Sequence, residues 1–320
     1  MKDAGYATYV AGKWQFDGGD TAIHTFGFDR YIVWNPFKDE EKSGLIYKNA
    51  DLYSNGSYIS KSITANTYDN DMYTDSVLYF IKENRQKKFF VYLPFTLCHA
   101  PYSPTPDDPE YESWISGRKD EGDPAFFPSM VKYTDKKIGQ ITDSLKAWNL
   151  YDNTIVIFAG DNGTPHRIFY YYNGQYIEGS KDETTEAGTR VPLIVTWPRG
   201  ITAGQVNDNL VDFSDFLPTL GEAINVQVPA SYGTIDGLSF YKQLRGADTK
   251  TRQWIYCQLE QKKTGQTPRW IQNKTYKLYD NGGKFVNIIA DPEEINPLVN
   301  LTAAEQKLKT EFQSKLDSLH

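Results

Sequence analysis

Three runs rich in β-branched and aromatic residues constrain what this chain can become. Each reads as a buried strand, and each ends in a residue type suited to an oxyanion or a hard cation. Tyr6–Ala11 runs into Gly12-Lys13-Trp14, Phe89–Phe95 into Cys98-His99-Ala100-Pro101, and Thr154–Ala159 into Gly160-Asp161-Asn162-Gly163. In an open α/β sheet, ligands bind beyond the carboxyl ends of the strands. If the three strands are parallel neighbours, a lysine, a histidine and an Asp-Asn pair converge on one edge. Such an edge suits an anionic ester held against a cation.

The segments around these runs carry helical periodicity. Met72, Val77, Phe80 and Ile81 mark a helix over Asp69–Arg85, and Val131, Thr134, Ile138, Ile141, Leu145 and Trp148 mark an amphipathic one. Val191–Trp197 reads as a further strand and Val211–Ile224 as a helix with Pro218 inside it or near its first turn. The alternation predicts an α/β/α sandwich with a mostly parallel central sheet and right-handed crossovers. Residues 17–68, with short strands, and 101–128 read as long loops of the kind that line sites.

From about residue 226 the character changes. Trp254–Glu260, Arg269–Leu278 and Lys284–Ile289 read as antiparallel strands joined by turns, notably Asp280-Asn281-Gly282-Gly283. Thr302 and Glu305 form a capping box for a terminal helix striped by Leu308, Phe312, Leu316 and Leu319. The expected organisation is an α/β domain over residues 1–225 and a small α+β subdomain over 226–320.

Composition narrows the function classes. A chain of 320 residues is long enough for a large core and a second, smaller domain. A formal charge of −7 argues against a nucleic-acid-binding protein, which would need a basic face. An anionic substrate therefore needs a local cluster of Lys and His. The 23 tyrosines suit a carbohydrate-binding cleft, and equally the edges of a core. Two cysteines, Cys98 and Cys257, make neither a disulfide framework nor a Cys-rich zinc site. No apolar run is long enough to span a membrane. Met1 enters a strand-like run almost at once, with no basic-then-apolar signal segment, so the chain reads as beginning inside a domain.

Individually the site candidates have ordinary readings too. Asp161 and Asn162 offer a carboxylate and an amide oxygen to Ca²⁺ or Mg²⁺, yet Asp-Asn-Gly is also a common turn. His99 has a side chain able to protonate a leaving alkoxide, or is a loop histidine bonded to backbone. His166, four residues past Asn162, is a weaker candidate. Cys98 beside His99 invites a dyad, but adjacent side chains of an extended strand point to opposite faces, so Cys98 is expected to act as a small buried hydrophobe. Lys13 has an ammonium able to hold a sulfate or phosphate oxygen, or is a solvated surface lysine. Lys181 lies in a polar loop leading into a strand, whose charge content reads as an exposed face.

Together the motifs resemble the sulfatase family, the formylglycine-dependent type within the alkaline-phosphatase-like superfamily. The matching segments are AGYATYVAGKW (4–14), FFVYLPFTLCHAPYSP (89–104), NTIVIFAGDNGTPH (153–166), SKDETTEAGTRVPLIVTWPRGI (180–201), VDFSDFLPTL (211–220) and YKLYDNGGKFVNIIADPEEINPL (276–298). The resemblance implies hydrolysis of sulfate esters, often on sugars, by an arylsulfatase-like enzyme. It implies Asp161 and Asn162 as ligands of a Ca²⁺, Lys13 and Lys181 as sulfate-oxygen holders, and His99 as donor near the bridging oxygen. Gln15 and His166 would face the substrate, which would be a sulfated small molecule or glycan.

Three departures stand out. Gln15 occupies the place where the family usually has histidine, and an amide cannot shuttle a proton. No C/S-x-P-S-R segment, the source of the formylglycine nucleophile, occurs in these residues. The paired aspartates that complete the metal site would lie before Met1. The expectation is a sulfatase lacking its N-terminal portion and belonging to a longer parent enzyme. By itself it would be inactive and would bind Ca²⁺ weakly. A periplasmic or secreted location follows from the resemblance alone. Two alternatives remain: a phosphoesterase or phosphotransferase of the same superfamily, and a non-catalytic remnant that binds sulfated glycans.

Overall fold

The computed structural model describes residues 1–37, 44–114, 122–172, 174–247, 250–260 and 265–319. Of the expected loop 101–128, residues 115–121 lie outside this set. The chain divides into two compact units, Met1–Asp152 and Asn153–His320.

The first unit contains β1 (Ala7–Lys13), α1 (Gly19–Thr25), β2 (Arg30–Trp34), β3 (Leu52–Ser54), β4 (Ser57–Tyr58), α2 (Lys61–Thr64), α3 (Asp69–Glu83), β5 (Phe89–Tyr92) and α4 (Phe127–Ala147). Its sheet has the order β4-β3-β2-β1-β5. The β2, β1 and β5 strands run parallel, while β3 and β4 pair antiparallel at the edge. Of the three apolar runs expected to be parallel neighbours, two are, β1 and β5; the third, Val156–Ala159, belongs to a separate two-stranded sheet. Alternation along β1 sends neighbouring side chains to opposite faces. Tyr9 stacks on Phe80 of α3 at 4.7 Å between ring centroids. Val10 enters a cluster with Trp14, Ile23, Tyr31, Val33 and Tyr53. Burying a residue of Val10's size stabilises by about 1.5–3 kcal/mol. β2 and α1 lie inside the segment read from sequence as loops with short strands. Their aromatic and Gly-rich composition hides the period.

The second unit contains β6 (Val156–Ala159), β7 (Phe169–Tyr172), β8 (Gln175–Glu178), α5 (Glu186–Thr189), β9 (Leu193–Thr196), α6 (Phe216–Ala223), α7 (Tyr241–Leu244), β10 (Ile255–Gln258), β11 (Arg269–Gln272), β12 (Tyr276–Tyr279), β13 (Phe285–Asn287) and α8 (Ala303–Ser318). β6 and β9 pair antiparallel. The connection between them carries a β7–β8 hairpin and the four-residue α5 rather than a crossover helix of the kind that joins parallel strands. Pro218 falls in the first turn of α6, where its missing N–H costs nothing.

The C-terminal strands form an antiparallel sheet in the order β10-β11-β12-β13. The run Arg269–Leu278 is not one strand but two. The Asn273 side chain accepts from the Thr275 and Tyr276 amides at 2.9 and 2.7 Å and closes a turn in its middle. Phe312 and Leu316 of α8 pack on Ile271, Leu278 and Phe285, with Leu308 alongside. The Thr302–Glu305 capping box is present.

Candidate active site

Lys13 is the last residue of β1, and its amide donates to the Pro94 carbonyl at 2.7 Å, tying β1 to the chain leaving β5. This close approach requires the preceding glycine. A Cβ on Gly12, whose φ is +121°, would meet the Pro94 oxygen at 1.9 Å. Beyond Trp14, Gln15 is exposed, with φ 53°, and its amide donates to Asn35.

His99 follows β5 in a turn closed by its own amide on the Thr96 carbonyl at 3.0 Å. Its Nδ1 lies 2.6 Å from the Ala100 carbonyl oxygen. A carbonyl only accepts, so Nδ1 is the donor in this bond and Nε2 is the ring nitrogen left for another partner. The Tyr47 hydroxyl is directed at the Thr96 and His99 carbonyls.

Behind this turn lies Asp69, which is fully buried. Its carboxylate accepts from Thr96 Oγ1 at 2.8 Å, the Tyr47 amide at 3.1 Å and the Asn70 amide at 2.7 Å. Burial outweighs these bonds and pushes its pKa up to about 6. Sequence reading missed Asp69, Tyr47 and Thr96 as supports of His99. An acidic residue in the first turn of a helix looks like an ordinary response to the helix dipole. Cys98 is half-buried, with its sulfur 3.6 Å from Thr134 Oγ1 and its thiol pushed up to about 11 by burial. The dyad with His99 has no support here, and both cysteines are free.

In the second unit, Asp161 is exposed and Asn162 half-exposed in the turn after β6. Gly163 holds that turn against α5: its amide donates to the Gly188 carbonyl at 2.9 Å, and a Cβ there would meet the Ala187 oxygen at 2.0 Å. The Lys181 amide donates to the Thr164 carbonyl at 3.0 Å, which joins the lysine's turn to the same loop cluster. His166 is exposed on this cluster, with Nε2 4.0 Å from Glu183 Oε1. Lys13, Gln15 and His99 thus belong to the strand ends of the first unit. Asp161, Asn162, His166 and Lys181 belong to one loop cluster of the second.

The oxygens of Asp161 and Asn162 are of the hard type Ca²⁺ prefers, but Ca²⁺ takes six to eight of them. Among the described residues no group of three or more His, Cys, Asp and Glu could hold a metal ion. The pair fits the cation in chemistry but falls short of a complete ligand set.

Comparison with known proteins agrees with the motifs. The family model described as Sulfatase matches residues 1–226, and that described as N-sulphoglucosamine sulphohydrolase, C-terminal, matches residues 180–320. An arylsulfatase of Hemicentrotus pulcherrimus is 29% identical over 247 residues, 72% of this chain and 42% of that protein. Human N-acetylgalactosamine-6-sulfatase is 29% identical over 263 residues, 76% and 47% of the two. The chain thus spans about half the length of the curated relatives it matches. Among solved structures, i-CgsB in complex with k-i-k-neocarrahexaose aligns with a TM-score of 0.75 at 20% identity, over 99% of this chain and 72% of that one. A protein solved with its substrate D-glucosamine-2-N,6-O-disulfate aligns with a TM-score of 0.73 at 18% identity, over 99% and 80%. These likenesses establish the α/β fold of the alkaline-phosphatase-like kind. With a family model matching more than two thirds of its residues, the chain belongs to the sulfatase family.

Proposed function

We propose that this chain serves sulfuric ester hydrolysis, with sulfated carbohydrate as the substrate class. Lys13 and Lys181 hold sulfate oxygens, and His99, as the imidazolium with its Nδ1–H on Ala100, would give its Nε2 proton to the bridging sugar oxygen as a nucleophile, which these residues do not include, bonds to the sulfur. Asp161 and Asn162 supply two oxygens to a Ca²⁺, which when bound would draw off charge from the sulfuryl group. Gln15 and His166 contact the substrate, Gln15 by hydrogen bonds alone. In this reading residues 1–225 carry the ester chemistry and residues 226–320 a supporting subdomain.

The observation that carries the reading is the Lys181–Thr164 backbone bond, which joins an ammonium-bearing turn to the Asp161-Asn162 turn. A cation-binding turn beside a lysine suits a group with several anionic oxygens. The carbohydrate half rests on the β7–β8 hairpin, whose Phe169, Tyr171 and Tyr176 are 63, 66 and 79% exposed between His166 and Lys181 in the chain. Exposed aromatic faces suit the apolar faces of sugar rings. A periplasmic or secreted location fits such a substrate. Among the described residues no helix is long and apolar enough to cross a membrane.

The absence of a C/S-x-P-S-R segment favours binding without turnover by these 320 residues. Calorimetry with N-acetylgalactosamine 6-sulfate and its unsulfated parent tests the reading. Only the sulfated sugar should bind, and Lys181→Ala should weaken it roughly 10- to 100-fold, the worth of a charge-assisted hydrogen bond. Equal binding of both sugars defeats the sulfate assignment. Multiple turnovers of an aryl sulfate would defeat the binding-only part.

A further inference from the structure

Lys277 on β12 and Glu294 after β13 are both fully buried and pair at 3.0 Å. Desolvating two ions costs several kcal/mol, and apolar residues of similar volume often serve stability as well or better. The arrangement around this pair has a direction. The Lys277 ammonium also donates to the Thr184 carbonyl. The Tyr279 hydroxyl donates to Glu294 Oε2 at 2.5 Å and lies 3.1 Å from Thr184 Oγ1. The Glu186 amide donates to Glu294 Oε1 at 2.9 Å, and Gln272 donates to the Glu186 carboxylate at 2.8 Å. The Trp270 and Tyr279 rings flank the ammonium, each centroid at 5.0 Å. The C-terminal sheet thus directs a buried ionic network at one short segment, residues 184–186.

That segment begins three residues after Lys181. The Lys181 turn is closed by the Glu183 amide on the Ser180 carbonyl at 3.0 Å. Its upstream side is fixed by the bond from the Lys181 amide to Thr164, and its downstream side by the network on Thr184 and Glu186. We infer that Lys277, Tyr279 and Glu294 are positioning residues that hold the backbone turn from which Lys181 reaches a sulfate oxygen. This rests on the reading of Lys181 as a sulfate holder. It gives the C-terminal sheet a part in sulfate recognition, through a lysine that the sheet does not itself carry.

A double-mutant cycle tests the inference, with the 320-residue chain and N-acetylgalactosamine 6-sulfate as probe. Tyr279→Phe keeps the ring packing and removes the hydroxyl that bridges Glu294 and Thr184. It should weaken binding about three- to tenfold when Lys181 is present, the worth of one hydrogen bond, and under about twofold when Lys181 is alanine. Amide exchange at residues 181–188 should quicken in Tyr279→Phe while the amides of α8 stay protected. Glu294→Gln, which keeps the shape and removes the charge, should show the same dependence on Lys181. Equal losses in both backgrounds would mean general loosening and overturn the inference. So would unchanged binding in Tyr279→Phe while Lys181→Ala weakens it, and that result leaves the site reading standing. No effect of Lys181→Ala on binding would overturn the site reading and this inference together.

Discussion

Replacing Gly12 by alanine probes the joint that holds the Lys13 strand end against the chain leaving β5. The new Cβ would lie 1.9 Å from the Pro94 carbonyl oxygen and 2.7 Å from its carbon, where real Cβ atoms essentially never come within 3.0 Å. The carbonyl must retreat by about 1 Å in a packed region, which strains its neighbours. Retreat breaks the Lys13 amide bond to it, now 2.7 Å long, and an amide left unsatisfied costs about 1–3 kcal/mol. The φ of +121° is itself strained for alanine, adding about 1–3 kcal/mol. The expected total is about 2–6 kcal/mol, a large part of the roughly 5–15 kcal/mol that holds a domain together. Gly5 is the control: its φ is +78°, and nothing lies within 4 Å of its added Cβ. Gly5→Ala should cost only about 1–2 kcal/mol. Urea unfolding followed by tryptophan fluorescence measures both. Equal midpoints for Gly12→Ala and Gly5→Ala would refute the close-approach argument.

Asp69 should leave a signature in the pH dependence of stability. Its pKa rises from 3.8 in the ordinary case to about 6 when folded. Between those values the folded chain keeps a proton that the unfolded chain has lost, so stability falls as pH rises through this window and levels off above it. The shift of about 2 units corresponds to about 3 kcal/mol. Asp69→Asn should remove that fall in urea midpoints between pH 4 and 6, and parallel curves for the two proteins would contradict it. Cys98 and Cys257, both raised to about 11 by burial, should react slowly with a disulfide reagent at pH 7.5, where roughly one thiol in a few thousand is ionised. Rapid labelling of both in the folded protein would show that neither is shielded as described.

The strands that lead to Lys13, His99 and Asp161 were legible because buried strands declare themselves as short apolar runs. The α3, α4 and α8 helices declared themselves by period, and the α8 cap by Thr302 and Glu305. The pairing direction of β6 and β9 was not legible, since direction depends on what the intervening chain does rather than on either run. Nor was the break in Arg269–Leu278, where one asparagine side chain turns an apparently continuous strand. The supports of the site were the least visible part. Asp69 serves the His99 turn from 30 positions away in the chain, and Lys277 meets Thr184 across 93. Such partners share no spacing rule, because only the folded backbone brings them together. The lysines and the Asp-Asn pair stand out as candidates only as members of a set of motifs, since each alone has an ordinary reading on a surface or in a turn.

Titrating N-acetylgalactosamine 6-sulfate into the unmodified chain, Lys13→Ala and Lys181→Ala tests the central claim most directly. Each variant should bind roughly 10-fold or more weakly, while affinity for the unsulfated sugar stays unmeasurable throughout. If either lysine can be removed with no change in affinity for the sulfated sugar, that lysine does not hold the sulfate and the proposal for it is wrong.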